Sequence, residues 1–189
     1  DSVMTDREFL SVELIYNLAK TIDLSLIEPT FKKVIDYNTA IANEGLTNYY
    51  GLSIGKLMKE GIEEGFYGND LRNNMASFAS AGSDARMNGC SLPVMTTSGS
   101  GNQGMTCSLP VIKFCELKNL PYEQLIRGLF FSHMTTIHIK SNIGRLSAYC
   151  GAICASAGVA GAISFLSGLS VEQIGYAIET TLGTMSGVI

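Results

Sequence analysis

The chain has 189 residues, room for one domain of ordinary size or two small ones. Hydrophobic residues make up 46% and charged residues only 16%, which excludes an intrinsically disordered chain. A net charge of -4 gives no basic face for nucleic acid or for an anionic membrane.

Helix signals follow one another along the chain. Thr5-Asp-Arg-Glu8 fits a capping box, and Phe9, Leu10, Val12, Leu14, Ile15, Leu18 and Ile22 recur near helical spacing after it. Glu28-Pro29-Thr30 reads as the start of a second helix through Val34, Ile35, Ile41 and Ala42, with Gly45 as its stop. Ser53 opens a third, carrying Ile54, Leu57, Met58 and Ile62 to Gly65, and a fourth is expected from Asn69 to about Ala81. Pro121 suits the first turn of a helix containing Leu125, Ile126, Leu129 and Phe130. Ser170-Val-Glu-Gln173 is a second capping box, opening a last helix through Ile174 and Ile178. No segment alternates with period two, so the expected fold is mainly α: a single helical domain over residues 1–189.

Two stretches of 26 residues carry no charge, one between Arg86 and Lys113 and one between Arg145 and Glu172. The second holds Cys150–Leu169, long enough for a membrane span. Gly, Ala and Ser fill 12 of those 20 positions, and no aromatic belt or basic flank accompanies them. The segment therefore reads as a central buried helix whose small residues let neighbouring backbones approach. The first stretch contains an echo, Cys90-Ser-Leu-Pro-Val94 and Cys107-Ser-Leu-Pro-Val111, which reads as coincidence with similar local turns.

Between those copies lies Thr96-Thr-Ser-Gly-Ser-Gly-Asn-Gln-Gly104. Its glycines permit dihedrals in which successive N–H groups converge on an anion, and a following helix adds its positive end. Ser98, Gly99, Ser100, Gly101, Asn102 and Gln103 are thus a candidate carboxylate or phosphate loop, buried because its flanks are apolar. It is neither a Walker loop nor a dinucleotide fingerprint. The alternative is a Gly/Ser connector.

Cys150 and Cys154 are four residues apart, without a second ligand pair of zinc type, and read as buried small hydrophobes, as does Cys115. The five cysteines make no disulfide scaffold, and Asp1–Glu8 is polar and acidic where a signal peptide would be apolar. Reduced thiols and a cytoplasmic location are the expectation. Starting on Asp1 and stopping on Gly187-Val-Ile189 without a cap reads as a piece of a longer polypeptide. His133 and His138 lie in one helical stretch but five residues apart, poorly placed for one face. Lys140 and Arg145 bracket Ser141-Asn-Ile-Gly144 and could hold a carboxylate, or be solvated charges at a helix end.

Three longer strings go further: Ala81-Gly-Ser-Asp-Ala-Arg-Met-Asn-Gly89, Ser98-Gly-Ser-Gly-Asn-Gln-Gly104 and Gly144-Arg-Leu-Ser-Ala-Tyr-Cys-Gly-Ala152. Together with Ile41-Ala-Asn-Glu-Gly-Leu46 and Gly51-Leu-Ser-Ile-Gly-Lys56 they resemble the iron–sulfur L-serine dehydratase α-chain superfamily, in its L-cysteine desulfidase-like branch. The resemblance covers almost the whole chain. It implies an α-helical fold and β-elimination without pyridoxal phosphate, giving pyruvate and ammonia from L-serine, with sulfide besides from L-cysteine. It also implies a [4Fe–4S] cluster with three cysteine ligands and one open, Lewis-acidic iron.

Carried over residue by residue, the resemblance makes Cys150 a cluster ligand and leaves Cys154, Cys90 and Cys107 without a role. The family's other ligands fall in a Cys-Asp-Gly-Ala-Lys-x-x-Cys type segment and its proposed base in a Gly-Cys-Thr-Glu-Pro motif, neither of which occurs here. The cluster is therefore expected in the intact protein and not in this piece, which would be inactive alone. Ser98–Gln103 would bind the substrate carboxylate, with His133 and Lys140 as candidate catalytic side chains of the same cavity. A small amino-acid substrate and a homodimer are the expected partners. The alternative is a non-catalytic relative that binds a small carboxylate.

Overall fold

The computed structural model describes residues 9–143 and 150–185. Among them the chain forms eight α-helices and one isolated bridge, Thr97 to Ser100, which agrees with the mainly α expectation.

Helix α1 (Val12–Thr21) is capped by Ser11, whose hydroxyl accepts from the Leu14 N–H at 3.1 Å. Phe9 and Leu10 therefore precede the helix and do not belong to it. The Thr5–Glu8 box lies outside the described residues. Helix α2 (Leu24–Thr47) starts at an Asp23 cap, ahead of the expected Glu28. It runs through Pro29, giving up the i→i−4 bond that a proline cannot donate. Gly45 does not stop it. The glycine lies in the last turn of the helix, where the Ala81 carbonyl leaves no room for a Cβ.

Helix α3 (Ile54–Glu63) matches its expected bounds, with Gly65 at φ +79° just beyond. Its cap comes from elsewhere. Ser53 is left-handed and makes no capping bond, and the Gly55 N–H donates to Asp84 Oδ2 at 2.8 Å. Asp84 belongs to α4 (Leu71–Met87), which Asp70 caps and which continues past Ala81. Helix α5 (Gly101–Leu117) begins inside the Gly/Ser stretch and contains Pro110. The two echoed strings thus have different structures: Cys90–Val94 is irregular and Cys107–Val111 is helical.

Helices α6 (Tyr122–Ile143), α7 (Gly151–Leu166) and α8 (Val171–Met185) complete the fold. The second capping box is made in both directions: Gln173 N–H donates to Ser170 Oγ at 3.3 Å and Ser170 N–H to Gln173 Oε1 at 3.0 Å. As expected, α7 is central, packed by α5, α6 and α8. Its small residues explain the fit: a Cβ on Gly158 would meet Thr136 Oγ1 and the Ser132 carbonyl of α6. One on Gly161 would sit 2.8 Å from the Phe131 ring. Phe131, Ile126, Leu129, Met105, Leu109, Ile15, Ile41 and Ile174 are fully buried in the core, each contributing about 1.5–3 kcal/mol. No described helix is long and apolar enough to cross a membrane.

Candidate functional site

The site is built where α5 begins. Thr97 N–H donates to the Ser100 carbonyl at 3.2 Å and Ser100 N–H to the Thr97 carbonyl at 3.1 Å. Ser98 and Gly99 between them have φ of +50° and +83°. Two positive φ values inside a doubly bonded four-residue loop define a turn of the I′ kind, which glycine adopts freely and serine does not. Ser100 then caps α5, its hydroxyl accepting from the Gln103 N–H at 3.2 Å.

The expected loop is thus corrected in its extent. Ser98 and Gly99 form a turn, with Gly99 exposed at the tip, while Gly101, Asn102 and Gln103 are the first turn of a helix. The first N–H groups of a helix have no intrahelical acceptor and carry its positive end.

Asn38, buried in the middle of α2, pins this segment. Its Oδ1 accepts from Met95 N–H at 2.9 Å, and its Nδ2 donates to Ser108 Oγ at 2.9 Å and to the Met95 carbonyl at 3.4 Å. Arg86, at the end of α4, reaches the same helix start. Its Nη1 donates to Asn102 Oδ1 at 3.1 Å, and a Cβ on Gly101 would lie 2.9 Å from its Cζ.

A second helix start meets the first. Gln103 is buried, and its Oε1 lies against Gly151, the first residue of α7, where a side chain would collide with it. Cys150 is the cap residue of α7. It is exposed, which corrects the expectation of a buried small hydrophobe. Cys154 and Cys115 are buried as expected. Burial raises the Cys154 thiol and the positive charge of Lys140 lowers it, so Lys140, itself buried on α6, stands beside the first turns of α7.

Two polar atoms in this neighbourhood, Ser98 Oγ and Gln103 Nε2, are buried with no hydrogen-bond partner among the described residues. Two helix starts, the two cations Arg86 and Lys140 and two unanswered polar atoms suit a small anionic ligand that also offers a hydrogen-bond acceptor. Arg145 and the Gly144–Tyr149 part of the third string lie outside the described residues.

His133 belongs to a buried cluster behind the turn. Its Nδ1 is 2.9 Å from Thr97 Oγ1 and its Nε2 3.5 Å from Cys107 Sγ; Thr97 Oγ1 and Cys107 Sγ are 3.4 Å apart. Phe31 packs edge-on against the ring at 5.3 Å. Burial pushes the imidazole down to about 4 and the Cys107 thiol up to about 12, so both are neutral near pH 7. His138, on the same helix, is half-buried.

Sequence reading assigned no role to Asn38, Arg86, Thr97 or Cys107. Asn38 left a trace as the one polar position in the apolar stripe Val34, Asn38, Ile41, Ala42. Arg86 left only its place in a quoted string.

The chain belongs to the serine dehydratase alpha chain family, which it matches over residues 3–189. A UPF0597 protein of Fusobacterium nucleatum subsp. nucleatum is 66% identical over 189 residues, covering 100% of this chain and 44% of that protein. One from Lachnoclostridium phytofermentans is 44% identical with the same coverage. One from Bacteroides thetaiotaomicron is 38% identical over 189 residues, covering 97% of this chain and 44% of the relative. The chain therefore spans less than half the length of these curated relatives. No solved structure matches it.

Proposed function

We propose that this chain is part of a [4Fe–4S]-dependent lyase that eliminates the β-substituent of L-cysteine, giving pyruvate, ammonia and sulfide, or of L-serine, giving pyruvate and ammonia. The observation that carries the reading is the meeting of two helix starts at Gln103 and Gly151, flanked by Arg86 and Lys140. Family membership supports a relation to iron–sulfur lyases.

In this reading Ser98, Gly99, Ser100, Gly101, Asn102 and Gln103 hold the substrate carboxylate. The unanswered Ser98 hydroxyl and Gln103 amide donate to it, and the α5 and α7 starts with Arg86 and Lys140 offset its charge. Lys140 serves on the reacting side of the cavity.

The described residues gather no group of three or more His, Cys, Asp or Glu side chains that could hold a metal ion. This stretch therefore fits one ligand position of a cluster, through the exposed Cys150, and not the whole ligand set. When bound in the intact protein, the cluster supplies Lewis-acid chemistry. We infer that the intact protein works in the cytoplasm as a homodimer.

The test uses the intact protein, reconstituted anaerobically with iron and sulfide, with pyruvate followed from L-cysteine and L-serine in parallel. Pyruvate from either, lost together with the cluster absorbance in Cys150→Ser, is the expected result. A reconstituted protein that binds small carboxylates but yields no pyruvate from either amino acid replaces this reading with the non-catalytic one. Cluster and turnover both unchanged in Cys150→Ser would remove Cys150 from the ligand set.

A further inference from the structure

We propose that His133 is a positioning residue: held between Thr97 and Cys107, it fixes the Thr97–Ser100 turn in the conformation that presents Ser98 and Ser100 to a ligand. The ligand's identity as a substrate carboxylate rests on the lyase reading; the positioning role does not.

The geometry separates this role from proton transfer. A general base needs a ring nitrogen within reach of the substrate proton. Each ring nitrogen of His133 already faces a buried partner, Thr97 Oγ1 on one side and Cys107 Sγ on the other, and Phe31 covers the ring. Those partners also face one another, so the three side chains close a triangle joining the turn, α5 and α6. A neutral imidazole has one donor and one acceptor, and the triangle takes both in either tautomer.

The turn has reason to need holding. Ser98 is a non-glycine residue at φ +50°, a conformation that persists only where the surroundings impose it. Behind Ser98 the stem is tied at two points: Met95 by both ends of the Asn38 amide, and Thr97 by His133. Removing the second tie leaves the stem before Ser98 held at Met95 and by the turn's own backbone bonds.

The experiment uses the intact protein and four variants, Thr97→Val, Thr97→Ser, His133→Gln and the double variant of Thr97→Val with His133→Gln. Amide hydrogen exchange over residues 96–103 reads the turn directly. Thr97→Val and His133→Gln are expected to speed that exchange about tenfold while Thr97→Ser, which keeps the hydroxyl, leaves it near the parent rate. Histidine-selective ¹⁵N labelling, with the His133 signals assigned by their loss in His133→Gln, reads the ring. Those signals are expected to stay those of a neutral ring from about pH 5 to about pH 8, with Thr97→Val shifting Nδ1.

Unchanged exchange in Thr97→Val, or a His133 ring that titrates within that range, overturns the proposal. Where the intact protein turns over, Thr97→Val and His133→Gln should each raise KM about tenfold with kcat nearly unchanged, and the double variant should be no worse than either. A collapse of kcat at constant KM, with loss of one limb of the pH profile, would instead make His133 a proton-transfer residue. Failure of turnover in the parent sinks the lyase reading alone, because exchange and ring signals do not depend on it.

Discussion

Ser98 sits in a left-handed conformation that its Cβ disfavours, with its hydroxyl buried and unanswered. Both features oppose folding, the first by about 1–2 kcal/mol. Ser98→Gly removes both and is expected to raise the urea midpoint of unfolding, by about 1 kcal/mol in stability. The same change should weaken binding of a small carboxylate in isothermal titration, since the donor is gone. Ser98→Ala keeps the strain and loses the donor, so it should weaken binding without the full gain in stability. A Ser98→Gly protein no more stable than Ser98→Ala would show that φ at this position is not the source of strain.

The cysteines give a second test at the same scale. Cys150 is exposed, Cys107 and Cys115 are buried with thiols pushed up to about 12 by desolvation, and Cys154 is buried and raised for the same reason. The thiolate is the reactive form, so an alkylating reagent at about pH 8 should label Cys150 first in the native protein. Mass mapping that found Cys107 labelled as fast as Cys150 would contradict the buried Thr97–His133–Cys107 cluster. Much of the site at this scale was legible, because Gly/Ser clustering and a following helix are local signals. Arg86 and the Gln103–Gly151 contact were not, since each depends on where a distant helix ends.

Helix boundaries divide along the same line. The Ser170–Gln173 box is local, and both its bonds form. Asp23, Asp70 and Ser11 cap locally as well, but each competes with neighbouring signals such as Glu28-Pro29 or Thr5-Asp-Arg-Glu8. Helix α3 differs in kind. Its cap acceptor is Asp84, 29 positions away along the chain, so no window around Ser53 contains it. Ser53 Oγ is occupied instead by the Tyr50 backbone, accepting from its N–H at 2.7 Å.

Asp84→Ala therefore leaves the Gly55 N–H unanswered, and with it one link between α3 and α4. The expected loss is about 1–2 kcal/mol, read from the urea midpoint. Asp84→Asn, which retains an acceptor oxygen, should recover most of it. Equal destabilisation by Ala and Asn would show that the carboxylate acts by charge and not as a cap.

At the scale of the whole molecule, His133 couples stability to pH. Its imidazole is buried, and desolvation lowers it from 6.5 to about 4 in the folded chain. Above about pH 6.5 the ring is neutral in both folded and unfolded states, and folding has no proton to release. Between about 6.5 and about 4 the unfolded chain binds a proton that the folded chain does not, so stability falls as pH falls. Lowering the imidazole from 6.5 to about 4 corresponds to roughly 3 kcal/mol across that window, a large part of the roughly 5–15 kcal/mol typical of a domain.

The expected observation is a urea midpoint for the intact protein that is level from about pH 8 to about pH 7 and declines below about pH 6. His133→Gln should be less stable at neutral pH, having lost the Thr97–Cys107 bracket, yet decline less steeply in acid. The two curves should approach one another near pH ~4. Parallel curves would mean that the ring takes up its proton without unfolding. The triangle around His133 would then open to water in acid, and the turn it holds would open with it.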